Sequence, residues 1–145
     1  MIDRRLRILI LLFLWAVLVE DTLLFVMAWV APDLWFRVFH VALPAGLDVA
    51  WLRRSAGQWI AFSLVQGATL WLWKREPLWL VATAVARFTD LFTDISYVVS
   101  APTLTHLGWI FLLPPPVLNF IGIVIMLLGY RQMRSSTTRE GQSAR

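Results

Sequence analysis

The chain has 145 residues, of which 59% are hydrophobic and nine are tryptophan, and its mean hydropathy is +0.71. This balance lies outside the usual range for a soluble domain and predicts one compact integral membrane domain. The net charge of +4 is carried by basic residues at the ends of apolar segments, which indicates membrane topology and not nucleic-acid binding. The absence of cysteine excludes thiolate nucleophiles, disulfide exchange and cysteine-ligated metal centres.

Four apolar segments of membrane-spanning length follow one another along the chain. A helix of about 20 residues crosses the apolar core of a bilayer, and the first segment lacks a small-residue cleavage site, so we interpret it as a retained helix. Together the segments predict an all-α, integral membrane four-helix bundle within a single domain over residues 1–131. The predicted helices cover about residues 8–30, 57–73, 78–99 and 107–130.

Two further segments complete the predicted organisation. Pro32 and Pro44 enclose a stretch that is too short to span a membrane, and its apolar positions predict a small amphipathic helix at the interface over about residues 33–43. Residues 132–145 are polar and rich in serine and threonine, and this composition predicts a disordered cytoplasmic tail.

The last apolar segment contains Pro114, Pro115 and Pro116 in succession. Because prolines cannot continue a preceding helix, this triplet predicts that helix 4 is broken or kinked and restarts near Pro115 or Pro116. Residues 101–113 would then form either an outer loop or a partly re-entrant segment. Asn119 is placed one turn into the restarted helix, where a broken helix can contribute to a binding site.

The basic residues are distributed unevenly between the two sides of the predicted bundle. Nine of them precede helix 1, lie in the turn between helices 2 and 3, or follow helix 4, whereas the other side has three. By the positive-inside rule both termini are therefore cytoplasmic, in what we expect to be a bacterial cytoplasmic (inner) membrane. The nine are Arg4, Arg5, Arg7, Lys74, Arg75, Arg131, Arg134, Arg139 and Arg145.

Helix 3 contains charged residues in the middle of an apolar segment. Their spacing of three and four residues places the polar side chains in one stripe, within an arc of about 80°. Since a charge at bilayer depth costs about 3 kcal/mol or more, this stripe is expected to face the interior of the bundle. The stripe consists of Thr83, Arg87, Asp90, Asp94 and Tyr97.

Helix 1 has its own charged pair near its midpoint, Glu20 and Asp21. We predict that one of these carboxylates, together with Asp90, pairs with Arg87. Asp94, further out, is expected to be within reach of Arg53 or Arg54 at the start of helix 2. The predicted cluster has one negative charge in excess. It consists of Glu20, Asp21, Arg53, Arg54, Arg87, Asp90 and Asp94, with Gln58, Gln66, Thr83, Tyr97 and Asn119 as possible lining residues.

A buried cluster of this kind has two interpretations. It can fix the register and rotation of the helices, or it can hold a ligand, an ion or a proton. His40 and His106 fall on the outer side and do not occupy matching positions inside the helices, so we predict no haem. No metal site, other cofactor or catalytic residue is predicted.

Two short motifs resemble a known family. The segment "RRSAGQWIAFSL" opens helix 2 and "ARFTDLFTD" carries an Arg-x-x-Asp in helix 3, and together with the order of the helices they look like the DoxX-like superfamily of small four-helix membrane proteins over residues 8–130. The resemblance implies a four-helix membrane fold, and roles proposed in that superfamily include subunits of membrane oxidoreductase complexes acting near quinones. The proline triplet and the Glu20-Asp21 pair have no counterpart in it.

Three classes of function remain open. The first expectation is a non-enzymatic accessory or scaffold subunit of a larger membrane complex or a homo-oligomer, with small residues such as Gly67 and Gly122 supplying close helix contacts. The alternative is a binding or transport module for a small polar or amphipathic molecule, ion or proton. An enzyme ranks last, because no nucleophile or metal set accompanies the carboxylates. Apart from the lipid bilayer no partner is identified by the sequence.

Overall fold

The computed structural model describes residues 2–42, 44, 46–100 and 103–143, with side chains as far as Ser135. In this part of the chain the fold is all-α, apart from an isolated antiparallel bridge between His40 and Leu104. Six helices follow in chain order: α1 (Arg4–Val30), α2 (Pro32–Phe39), α3 (Asp48–Leu72), α4 (Leu78–Ser100), α5 (His106–Leu112) and α6 (Pro115–Ser143).

The helix ends follow from local sequence. The Asp3 side chain caps α1 by accepting from the backbone N–H of Arg5 at 3.3 Å, and Thr105 caps α5 by accepting from Gly108 at 3.0 Å. Pro32 and Pro115 each begin a helix, at positions where a missing N–H costs nothing. The break between α5 and α6 therefore lies where the proline triplet predicts it.

Three predicted boundaries differ from the structure. The second long helix begins at Asp48 and not at residue 57; Leu47 is its N-cap, and Gly46, with φ of +54°, lies in the turn that precedes it. The predicted segment 107–130 is divided into α5 and α6. Helix α6 also continues to Ser143, into the stretch predicted to be a disordered tail, since extending an existing helix requires no new nucleation.

Four long helices pack as a bundle in which α1 lies against α3 and α4 lies against α6. Two apolar clusters occupy its two ends. One contains Ile10, Leu14, Trp73, Leu80 and Met126, near the α3–α4 turn and the N-terminus. The other contains Ala28, Trp35, Phe39, Leu52 and Ala56, where α2 packs across the ends of α1 and α3.

Two helical stretches of the described chain are long and apolar enough to cross a membrane. They are Arg4–Val30 and His106–Ser135, the latter including α5 and most of α6. Helix α4 has sufficient length, but Arg87, Asp90 and Asp94 lie in its middle, and Gln58 and Gln66 reduce the apolar character of α3. By length and composition, two of the four expected membrane helices thus qualify.

Candidate functional site

A buried ion-pair network lies between the two apolar clusters. Arg87 of α4, 2% exposed, pairs through Nη2 with Asp21 of α1 and through Nη1 with Asp90 at 2.9 Å. Its guanidinium carbon also lies 5.2 Å from the centre of the Phe62 ring, within cation–π range. The predicted pairing of Arg87 with a carboxylate of helix 1 and with Asp90 is present, and the partner on α1 is Asp21.

Asn119 connects this network to α6. Its Oδ1 accepts from Arg87 Nη1 at 3.2 Å, and its Nδ2 donates to Asp90 at 3.0 Å and to Asp94 at 2.8 Å. Both hydrogens of the amide and its oxygen are therefore used within the protein. The restart of the helix at Pro115 places Asn119 at this depth, so the proline break positions a residue of the network.

Helix α3 contributes neutral polar groups. Gln66, 1% exposed, donates from Nε2 to Asp21 at 2.8 Å. One turn further along α3, the Thr69 hydroxyl lies 2.7 Å from that of Thr83. Thr83 thus faces the interior as predicted but makes its polar contact with α3. Neither Gln66 nor Thr83 lines the cavity that opens from the ion-pair network, although both were predicted to.

A cavity of about 520 Å³ opens from the ion-pair network toward the end of the bundle that carries α2 and α5. Carboxylates line its inner part, and aromatic side chains from α2, α3 and the end of α5 line the rest. Its volume falls within the range of about 300–1,000 Å³ that is typical of small-molecule sites. The charged lining residues that matter most are Glu20, Asp21, Arg87, Asp90 and Asp94.

Two predicted members of the cluster do not belong to it. Arg53 and Arg54 are exposed, and neither forms an ion pair within the described residues; Arg54 instead lies 5.3 Å from the ring of Trp51. The predicted contact of Asp94 with these arginines was wrong, because both side chains are exposed and neither lines the cavity. Asp94 is bound by Asn119 instead.

Without Arg53 and Arg54, the site is more negatively charged than predicted. Of the residues predicted for the cluster, four carboxylates and the single guanidinium of Arg87 line the cavity. Among these residues the formal excess is therefore three negative charges and not one, and Asp48 also lines the cavity as a fifth carboxylate. Of the predicted lining residues, Gln58, Tyr97 and Asn119 do face the cavity.

His40 is a site residue that the sequence did not identify. It follows α2, is 8% exposed, and its Nε2 forms a hydrogen bond with the hydroxyl of Tyr97. Burial lowers the pKa of the imidazole, and the negative charge of Asp48 partly opposes this shift. In the sequence, the signal for this contact was Tyr97 on the polar stripe of helix 3. Its hydroxyl group needed a hydrogen-bond partner, but the sequence did not show which residue that was.

The connections on either side of His40 are held together by backbone hydrogen bonds. Val41 donates to Thr103 at 3.0 Å, and Thr105 donates to Phe39 at 3.1 Å. Gly108 of α5 lies directly against the carbonyl of Phe39, where a side chain would collide. Helices α2 and α5 are thereby joined into one cover over the end of the bundle.

The chemistry available in the cavity is that of carboxylates, one guanidinium, amides and hydroxyls. Within the described residues, no group of three His, Asp or Glu side chains is arranged to hold a metal ion. The arrangement can bind a charged or polar group at its inner end and an apolar group along its aromatic walls.

The chain matches no protein-family model, no curated protein and no solved structure. The resemblance to the DoxX-like superfamily stays a prediction.

Proposed function

We propose that this chain is a multi-pass membrane protein whose four long helices span the bilayer as a bundle. The distribution of polar and apolar side chains is the reverse of that in a soluble domain. Large apolar side chains lie on the surface, whereas the charged residues Arg87 and Asp21 are 2% exposed. On α1 the exposed apolar residues recur every three or four positions and form one continuous stripe. This stripe contains Ile8, Leu12, Trp15, Val19, Leu23, Val26 and Val30.

The exposure of the apolar helices supports this arrangement. Only 22% of the apolar window in Arg4–Val30 and 17% of that in His106–Ser135 is buried inside the protein, whereas a core helix of a soluble protein is mostly buried. Helix α4 fits the same bundle despite its charges, because Arg87 and Asp90 are satisfied inside it. Its outward face carries Val85, Phe88 and Phe92.

The proposed orientation places both termini in the cytoplasm. The basic residues near the N-terminus, the α3–α4 turn and the second half of α6 then face the cytoplasm. The cavity lies at the opposite end and opens outward, under the cover formed by α2 and α5.

We infer that the protein is a binding or transport module for a small amphipathic molecule. The observation that carries this inference is the cavity of about 520 Å³, which combines an ionic inner end with aromatic walls. A network serving only helix register would require no such space beside it. The accessory-subunit role stays a prediction, although Gly122, one of the residues assigned to partner contacts, packs against Phe13 of the same chain.

The absence of cysteine from the chain permits a direct test. Ser96 lines the cavity, and a Ser96→Cys variant gives a single thiol there. In right-side-out membrane vesicles, an impermeant maleimide is expected to label this thiol from outside. Phenethylammonium, phenethyl alcohol and phenylacetate share one apolar body and differ in charge, and at least one of them is expected to slow the labelling.

A Ser135→Cys variant provides the matched control, because Ser135 is exposed near the far end of α6. Its thiol should react only after the vesicles are permeabilised, and none of the three molecules should protect it. If Ser96→Cys were labelled only after permeabilisation, the outward opening would be wrong. If none of the molecules protected it, the binding function would be wrong.

A further inference from the structure

Two carboxylates of the cavity lack a positively charged partner. Glu20 of α1 lines the cavity and forms no hydrogen bond or ion pair within the described residues. Asp94 of α4 accepts from Asn119 through Oδ2 only, and no cation of the described chain lies within ion-pair distance of it. Arg87 pairs with Asp21 and Asp90 and forms no ion pair with Glu20 or Asp94.

The formal excess of three negative charges from the predicted cluster therefore lies beside the open space, and Asp48 is a further carboxylate of its lining. Half-buried carboxylates without a counter-ion are costly, and the site lowers this cost either by taking up protons or by binding an occupant that supplies positive charge. An anionic occupant would add to the excess, and a neutral one would leave it unchanged. The electrostatics of the cavity thus select for a cation.

The walls of the cavity specify the remainder of the occupant. Trp35 and Trp59 have ring centres 5.2 Å apart, and Trp51 and Phe36 line the same space. Aromatic faces bind organic ammonium groups through cation–π attraction and bind apolar bodies by burial of surface. A hydrated metal ion would gain little from such walls, whereas an organic cation gains from both features.

His40 is a polar residue of the cavity wall that does not belong to the carboxylate cluster. His40 lines the cavity, is 8% exposed, and its Nδ1 is buried without a hydrogen-bond partner in the described chain, while Nε2 is engaged by Tyr97. Buried polar atoms are normally paired. His40 is thus a buried and incompletely paired polar side chain in the wall of the cavity.

We propose that the ligand of this cavity is a small organic ammonium ion, with its charged nitrogen at Glu20 and Asp94 and its apolar body against Trp35 and Trp59. This inference rests on the proposed binding function and specifies its ligand class. Arg87, Asp21 and Asp90 form the inner end of the site and hold α1 and α4 at a fixed separation.

The test uses protection of the Ser96→Cys thiol in vesicles by the three matched probes. Phenethylammonium is expected to protect at a concentration at least about tenfold lower than phenethyl alcohol, since its charge meets unpaired carboxylates. Phenylacetate is expected to give no protection. Glu20→Gln and Asp94→Asn, each in the Ser96→Cys background, should raise the concentration of phenethylammonium needed by about tenfold or more.

Asp33→Asn is the matched control, because Asp33 is an exposed carboxylate of α2 outside the cavity. It should leave protection unchanged, which excludes a general attraction of cations to an acidic surface. Glu20→Gln breaks no ion pair of the described protein and is expected to fold even if Asp94→Asn does not. A fall in unfolding temperature identifies a folding defect in either variant.

The outcomes separate the two proposals. Equal protection by phenethyl alcohol, or protection by phenethylammonium that persists in both Glu20→Gln and Asp94→Asn, would overturn the ammonium ligand and leave the binding function standing. Stronger protection by phenylacetate would do the same. Protection by none of the three would overturn both.

Discussion

Replacing Arg87 by alanine is the most informative perturbation of this protein. The change removes ion pairs to Asp21 and Asp90 and the hydrogen bond to Asn119, and it leaves buried carboxylates facing one another. Breaking a buried ion pair by removing one partner costs about 3–5 kcal/mol. For a chain of this length such a loss lowers the unfolding temperature by on the order of 10 °C.

The loss is expected to depend on pH in a defined direction. The stranded carboxyl groups of Asp21 and Asp90 repel each other when both are ionised, and protonation relieves this repulsion. The folded variant therefore binds protons at these carboxyl groups more strongly than the unfolded variant does. The stability of Arg87→Ala relative to the wild type should decrease as the pH rises from about 5 to about 9.

The assay is thermal unfolding of the purified protein in a mild detergent. Arg53→Ala is the matched control, because Arg53 is exposed and forms no ion pair in the described chain; its effect should stay within about 0.5 kcal/mol. Adding Asp21→Asn and Asp90→Asn to Arg87→Ala should recover part of the loss. An Arg87→Ala protein as thermostable as the wild type across this pH range would refute the interior network.

The remaining predictions concern other parts of the molecule. A reporter fused to the C-terminus should be active only on the cytoplasmic side, and activity only outside would reverse the topology. Gly108→Ala should destabilise the protein by about 1–3 kcal/mol, because its Cβ would collide with the Phe39 carbonyl and lie 3.1 Å from Leu104. Gly67→Ala should stabilise it by about 0.5–1 kcal/mol, because nothing lies within 4 Å of the added Cβ. The unfolding temperatures of the two variants test both values. Because burial lowers the pKa of folded His40, the unfolded chain binds more protons below about pH 6.5, so stability should fall on acidification, and His40→Gln should lack this part of the pH dependence. Neither His40 nor His106 is expected to bind haem, and a Soret band lost on replacing either would contradict this.

Much of the site followed from helical spacing. Arg87, Asp90 and Asp94 share a face because they lie three and four residues apart, and the cost of exposed charge predicts that this face turns inward. The structure brings these three residues together with Asp21 as that argument requires. The restart at Pro115 was likewise predictable, because proline tolerates only the first turn of a helix.

Other features depend on geometry that spacing does not encode. Arg53 and Arg54 lie near the correct end of α3, but the start of that helix at Asp48 and its rotation about its axis leave them exposed and outside the cavity. The pairing of His40 with Tyr97 depends on the path of an irregular connection that lacks a periodic pattern. Asn119 contacts Asp90 because α6 packs against α4, and this pairing of helices is not encoded in the spacing of residues.

The pairing of Asp21 with Arg87 has a consequence for how the protein is made. The two residues are 66 positions apart in the chain, so at about 5–20 residues per second the ribosome completes Arg87 several seconds after Asp21. In the proposed bundle, α1 reaches the membrane during that interval with its acidic residues lacking their counter-ion. Helix α1 must therefore wait at the insertion machinery, or enter with its carboxyl groups protonated, until α4 arrives. The ion-pair network is complete only after α6, the last long helix, has packed against α4 and brought Asn119 into contact with Asp90.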